Sequence, residues 1–167
     1  MSQPPITHVM PSESILQNIR NCATAMSQRL GIESAESASE IVEAVNQEIH
    51  RQQKEGHHDD KAPEDPMDTE PLCLGSLWGE QLVAKLGWEW VMLSFHEHGS
   101  RSLGVSSPDR AWIICPFEFV YGCLVNDVTP TVSLSFNMLD DGTRIPDMAA
   151  NSYENLMAGV RHIIPPG

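Results

Sequence analysis

Residues 74–90, LGSLWGEQLVAKLGWEW, combine an amphipathic helix, a glycine stop and the start of an aromatic strand. Leu74, Leu77, Trp78, Leu82 and Leu86 fall on one helical face, with Glu80, Gln81 and Lys85 mostly on the other, the 3.6-residue pattern of a half-buried helix. Lys85 suits the negative end of the helix dipole, and Gly87 can adopt the left-handed conformation that ends a helix. A strand follows in which Trp88, Trp90 and Met92 alternate with Val91, Leu93 and Phe95, so a sheet covered by helices on one face and by the helical arm or a partner on the other is expected. Gly75 and Gly79 each cost the helix about 1 kcal/mol relative to alanine. Close approach of another backbone is the expected compensation. A phosphate-cradling loop would need a different spacing and a following Lys-Ser/Thr pair.

Downstream, His96-Glu97-His98-Gly99 reads as the turn of a β-hairpin whose second strand covers 102–106. Ser107-Pro108-Asp109-Arg110 has turn chemistry, and residues 111–115, AWIIC, form a short apolar strand. Pro116 is suited to the first position of a helix over 117–125, with Phe117, Val120, Tyr121 and Leu124 on one face. Residues 131–136, TVSLSF, alternate as a half-exposed strand, with Asp140-Asp141-Gly142 as the next turn. A last helix is expected over 151–164, turning Tyr153, Leu156, Met157, Val160 and Ile164 inward.

Upstream, Ser12 can cap a helix whose stripe runs through Ile15, Leu16, Ile19, Cys22, Ala23, Met26 and Leu30 to Gly31. Ser37 and Glu40 have capping-box spacing ahead of Ala38, Ile41, Val42, Val45 and Ile49. These two helices suggest an antiparallel hairpin that buries its stripes on the main domain or on a second copy, which admits a homodimer through residues 12–52. The expected organisation is a disordered N-terminus at 1–11, a helical hairpin arm at 12–52, an acidic linker at 53–71 and an α+β domain at 72–167. The fold class is α+β: the N-terminal helical hairpin followed by a small, mostly antiparallel sheet packed against three helices.

At 167 residues the chain has room for one domain with a real core. Asp and Glu outnumber Lys and Arg by 23 to 10, a formal charge of −13 that repels nucleic acid and anionic lipid and favours a basic protein surface or a divalent metal. The same charge also promotes solubility. The first ten residues lack a signal-peptide pattern, and no run of eighteen apolar residues occurs, so a soluble cytoplasmic protein is expected. Cys22, Cys73, Cys115 and Cys123 lie far apart without a C-x-x-C pair, which disfavours zinc; a Cys115–Cys123 disulfide is disfavoured in a cytosolic setting. His57, His58, Asp59 and Asp60 are metal-ligand types in a breaker-rich segment that offers no rigid frame, and His96 and His98 read as loop residues. No nucleophile elbow, zinc-protease helix or phosphate loop occurs, so neither an enzyme nor a cofactor is expected.

The order L-G-x-x-W-G-E-x-L-x-x-x-x-G-W-E-W at 74–90, S-P-D-R at 107–110 and the apolar-Pro-Phe element at 114–119 resembles a bacterial domain family of unknown function. The resemblance extends from about residue 72 to the C-terminus and rests on packing and turn motifs. Small acidic proteins with such domains are similar to immunity proteins that neutralise secreted toxins in interbacterial competition. The resemblance therefore implies a cognate toxin or effector as partner, and the acidic charge suits a basic one. Contact is then expected at Glu80, Glu89, Glu97, Asp109, Asp140 and Asp141, on helix faces and loops. Two alternatives stand: a self-associating scaffold that dimerises through the arm, and a metal-dependent enzyme using His57, His58, His96 or His98.

Overall fold

The computed structural model describes residues 5–32, 36–55, 63–126, 128–142 and 147–161. In chain order the elements are β1 (Ile6–Val9), α1 (Glu13–Arg29), α2 (Ala38–Glu55), α3 (Thr69–Leu86), β2 (Glu89–Phe95), β3 (Ser100–Ser106), β4 (Trp112–Ile114), α4 (Pro116–Asn126), α5 (Val132–Asp141), β5 (Glu154–Asn155) and α6 (Leu156–Arg161). This is the expected α+β class.

α3 is the axis of the molecule. Leu74, Trp78 and Leu82 are fully buried, and Gly87 ends the helix at φ 72°, as its position foretold. The helix begins earlier than expected, because Asp68 takes the N-cap position and Pro71 sits in the first turn, where its missing N–H costs nothing. α2 likewise runs on to Glu55, so helices enter both ends of the expected linker at 53–71, whose middle, 56–62, lies outside the described residues.

The caps of the first two helices form as read: Ser12 Oγ accepts the Ile15 N–H, and Ser37 Oγ accepts the Glu40 N–H, each at 3.2 Å. Their arrangement differs from a hairpin arm. α1 and α2 both pack against α3, and Ile19, Met26, Val42, Val45 and Ile49 join the same core as Trp78 and Phe117. Of the two covers left open for these stripes, the main domain or a second copy, the described residues provide the first. An all-round apolar α3, with eight buried residues, is what allows helices on two of its sides.

The sheet runs β1-β2-β3-β4-β5, antiparallel except for the parallel β4–β5 pair. Trp88, Trp90, Met92, Leu103, Val105 and Ile114 face the helices. Val91, Leu93, Ile113 and Cys115 form a second buried cluster with Ile6, Phe95 and Tyr153. Double burial of β2 was expected, but its second face is covered by the curl of the sheet itself and not by the helical arm or a partner. That curl brings His8 of β1 to Tyr153, just before β5, with Nδ1 and the phenol oxygen 2.6 Å apart. Residues 6–9, expected to be disordered, are therefore an edge strand paired with 92–95.

Gly75 and Gly79 are required by aromatic rings more than by backbone. A Cβ on Gly79 would lie 2.2 Å from Cη2 of Trp90, and one on Gly75 would lie 2.7 Å from Cδ1 and 3.1 Å from the backbone N of Phe117. The two rings stack, with centroids 5.6 Å apart and planes 12° from parallel.

Two further expectations are corrected. Residues 132–136 are helical, within α5, with Thr131 at the N-cap position: Val132, Ser135, Phe136 and Leu139 lie at 0, 3, 4 and 7, and only a window longer than six residues separates that period from alternation. The expected helix at 151–164 begins only at Leu156, after Asn151 and Tyr153 adopt φ of 63° and 48° and the chain adds β5 to the sheet. Leu156 and Met157 are buried as expected, and 162–164 lie outside the described residues. No helix among the described residues is long and apolar enough to cross a membrane.

Candidate protein-binding surface

Among the described residues, Arg20, Arg29, Arg51 and Arg110 are engaged with acids. Arg29 of α1 pairs through both guanidinium nitrogens with Glu70 of α3 and lies 3.5 Å from Glu48 of α2. Arg51 holds Glu48 from Nε at 2.8 Å and NH2 at 2.6 Å, and Glu55 at 2.6 Å. Gln52 donates to both Glu48 and Glu70 at 2.9 Å. This network ties three helices together, and it holds Glu48 and Glu70 below the usual carboxylate range, chiefly through the Arg51 and Arg29 hydrogen bonds respectively. Arg20 pairs with Glu13 at 2.6 Å and Arg110 with Glu89 at 2.9 Å. Much of the cationic charge is thereby neutralised in place, while Glu64, Asp65, Asp68, Glu97, Asp109, Glu118, Asp140 and Glu154 remain exposed.

The six acids expected to form a contact patch do not converge. Glu80 is half-buried on α3; burial raises its carboxyl above the ordinary range, and the facing Trp90 indole and the Arg20 charge offset this only in part. Glu89 and Asp109 do share a corner through Arg110, but both are occupied. Glu89 accepts the Arg110 guanidinium, and Asp109 Oδ1 accepts the Ala111 N–H at 3.0 Å and the Ser107 hydroxyl at 2.9 Å, bonds that hold its carboxyl low. Glu97 lies in the turn at the far end of β2 from Glu89, and Asp140 and Asp141 close α5. Sequence separation along exposed loops carries no information about convergence.

A different feature has the shape of a binding site. A groove of about 540 Å³ opens between α1, the 65–67 turn, the start of α3 and strands β2 and β3. Its floor is Ile15, Ile19, Leu72, Met92 and Leu103, and its edges include Asp65, Glu118, Arg101, Ser102 and Asn18. The turn is built by its acids: Asp68 Oδ2 accepts the Glu64 and Asp65 N–H groups at 2.7 and 3.2 Å, and Asp65 Oδ1 accepts that of Met67 at 2.8 Å. Met67 is consequently held 47% exposed at the groove edge. Glu118, from the first turn of α4, accepts the Ser102 hydroxyl at 2.7 Å. An apolar floor with polar groups at its edge is the general form of a recognition pocket. In the sequence the only trace of it was Met67, the single apolar side chain of consequence in an acidic run.

Compared with protein-family models, with curated proteins and with solved structures, the chain matches none.

For the metal alternative, His96 Nε2 lies 2.8 Å from Thr7 Oγ1 on the exposed edge, and His98 sits in the same turn without joining it. His57, His58, Asp59 and Asp60 lie outside the described residues. Among the described residues no group of three His, Cys, Asp or Glu side chains is placed to hold a metal ion. Burial pushes the Cys115 thiol up to about 12, far from a reactive thiolate at neutral pH.

Proposed function

We propose that the chain is a non-enzymatic binding protein, acting in the cytoplasm as an immunity-type partner that neutralises a cognate bacterial toxin. The groove beside Met67 receives an apolar side chain of the partner, and the acids around it engage neighbouring Lys or Arg residues. The observation that carries this reading is the coincidence of an apolar floor with acids at its edge and a strongly acidic chain, in which Arg20, Arg29, Arg51 and Arg110 are paired with acids of the same fold. Acidic charge of this kind accelerates capture of a basic partner, while the apolar anchor slows its release. Arg101 is the one cation of the edge and suits an acid on the partner. Self-association through residues 12–52 has less to support it, since the apolar stripes of α1 and α2 are covered by α3.

The test is affinity capture of the tagged chain from its native cells at two salt concentrations, beside Asp65→Lys/Glu118→Lys and Leu103→Ser variants. The expected result is one stoichiometric basic partner whose binding weakens with salt and with either variant, and whose toxicity on expression is abolished by the wild-type chain alone. A partner held equally by all variants would refute the groove. Recovery of the chain alone, or of a partner with no toxicity, would refute the immunity reading.

A further inference from the structure

β1 is an unguarded sheet edge. The Pro5 carbonyl accepts the His96 N–H at 2.9 Å, and bonded pairs alternate along an antiparallel ladder. Thr7 and Val9 therefore turn their backbone groups to β2, while Ile6 and His8 turn theirs outward. β1 ends the sheet, and among the described residues no backbone group pairs with these outward ones. Exposed edges are ordinarily guarded by charged side chains. Residues 1–12, MSQPPITHVMPS, contain no Asp, Glu, Lys or Arg, although the chain has 23 acids and 10 bases. Val9 and Met10, where the strand ends, are 56% and 54% exposed. Opposite β1, residues 5–8 and 151–153 enclose a cleft of about 460 Å³ that is likewise free of Asp, Glu, Lys and Arg. The far wall cannot close this cleft by pairing with β1. Asn151 and Tyr153 are held at φ of 63° and 48°, and their N–H groups are already given to the Asp109 and Arg110 carbonyls at 3.0 and 2.9 Å. His8 Nδ1 and the Tyr153 phenol, 2.6 Å apart, bridge the two walls.

We propose that this cleft takes up an extended, uncharged segment of a partner protein, which adds to β1 as a further strand. The outward N–H and C=O groups of Ile6 and His8 recur about every 7 Å, the two-residue repeat of a strand, so what they select is a peptide backbone. The uncharged lining selects against Lys, Arg, Asp and Glu, which would be buried there without a counter-charge. Ile6 and His8 stand in register with Phe95 and Leu93 of the second buried cluster. Every other residue of the added strand falls on that face and is best aliphatic. A second copy fits less well, because its own β1 is backed by β2, whereas the wall at 151–153 leaves space for a strand free on both sides. Two chains of charge −13 also repel one another. The cleft shares no lining residue with the groove beside Met67, and the proposal does not rest on that groove.

The experiment selects phage-displayed random heptapeptides on the full chain and measures the enriched sequences, as synthetic peptides with blocked termini, by fluorescence anisotropy. The expected binders are uncharged and proline-poor, with aliphatic residues at alternate positions, and they slow amide exchange at Ile6 and His8. Ile6→Pro removes an outward N–H without touching a β2 bond, and Val9→Lys changes an exposed side chain that the fold does not need. Each should weaken binding by about tenfold or more. N-methylation of alternate peptide amides should abolish binding, while Asp65→Lys/Glu118→Lys should bind as the wild type does. An empty selection, charged or helical binders, or binding indifferent to Val9→Lys and to N-methylation would each overturn the proposal. Binding lost in Asp65→Lys/Glu118→Lys would place the peptides in the groove instead. A dimer in sedimentation that Val9→Lys dissolves would give the edge to a second copy and overturn it as well.

Discussion

Gly79→Ala is the sharpest test of the packing around α3, because helix propensity and tertiary structure predict opposite signs. In an open helix the change would stabilise by about 1 kcal/mol, since alanine has less backbone entropy to lose. Here the added Cβ would lie 2.2 Å from Cη2 and 2.4 Å from Cζ2 of Trp90, about 1.2 Å short of the 3.4 Å where ordinary contact begins. The indole cannot easily retreat. Its far face stacks on Phe117, which is 1% exposed and itself pressed against Gly75. Overpacking of this kind costs about 1–3 kcal/mol, with fixed rings toward the upper end. After the propensity gain, Gly79→Ala should destabilise by about 2 kcal/mol in urea titration followed by tryptophan fluorescence. Gly122→Ala is the matched control: it lies inside α4 with no atom within 4 Å of the added Cβ, and it should stabilise by up to about 1 kcal/mol. In the double variant with Trp90→Leu, the added methyl should cost much less than it does alone. A Gly79→Ala protein as stable as the wild type would refute the close approach of α3 and β2.

Three other perturbations probe separate parts of the fold. Glu48 and Glu70 have folded pKa values below their unfolded ones, so their contribution is full above the ordinary carboxylate range near 4.5 and is lost as pH falls through the folded values; Glu48→Gln/Glu70→Gln should lower the urea midpoint at pH 7 and flatten the acid limb, and an unchanged limb would remove this network from the account. Glu80 has the opposite sign: its raised folded pKa means that stability declines as its carboxyl ionises, so Glu80→Gln should match or exceed wild-type stability at pH 7 with its relative gain vanishing near pH 4, and a destabilised variant at pH 7 would contradict the burial argument. Tyr153→Phe removes the phenol bonded to His8 and should cost about 1 kcal/mol, accompanied by faster amide exchange in β1; exchange confined to α6 would argue against a link between the sheet edges.

What was legible in the sequence is what is local. The Ser12 and Ser37 caps, the Gly87 stop, the Ser107–Arg110 turn and the two-faced β2 each depend on residues within a few positions, and each formed as read. The failures share a cause too. β1 exists because β2 offers a partner more than eighty residues away, and β5 because β4 does. α5 was hidden by a coincidence of periods: its Val132, Leu134 and Phe136 alternate, but Leu134 is exposed while Ser135 is buried, its hydroxyl bonded to the Val132 carbonyl. A buried serine that satisfies its own helix looks like a solvent-facing strand residue on paper.

The same reasoning explains why acids chosen by their loop positions were poor guides to a binding surface. Acids in turns have backbone N–H groups at hand, and Asp109, Asp65 and Asp68 each take them. An acid whose oxygens are engaged in shaping a turn still projects charge, but less of its hydrogen-bonding capacity is left for a partner. What distinguishes the turn at 65–67 is its neighbour: it stands beside an apolar floor assembled from α1, α3, β2 and β3, so the charge it fixes is adjacent to surface that gains from being covered. Asp109 lies instead beside Arg110 and Glu89, where a partner would first have to displace an existing ion pair. Charge alone therefore does not rank the acids of this chain, whereas charge next to uncovered apolar surface does.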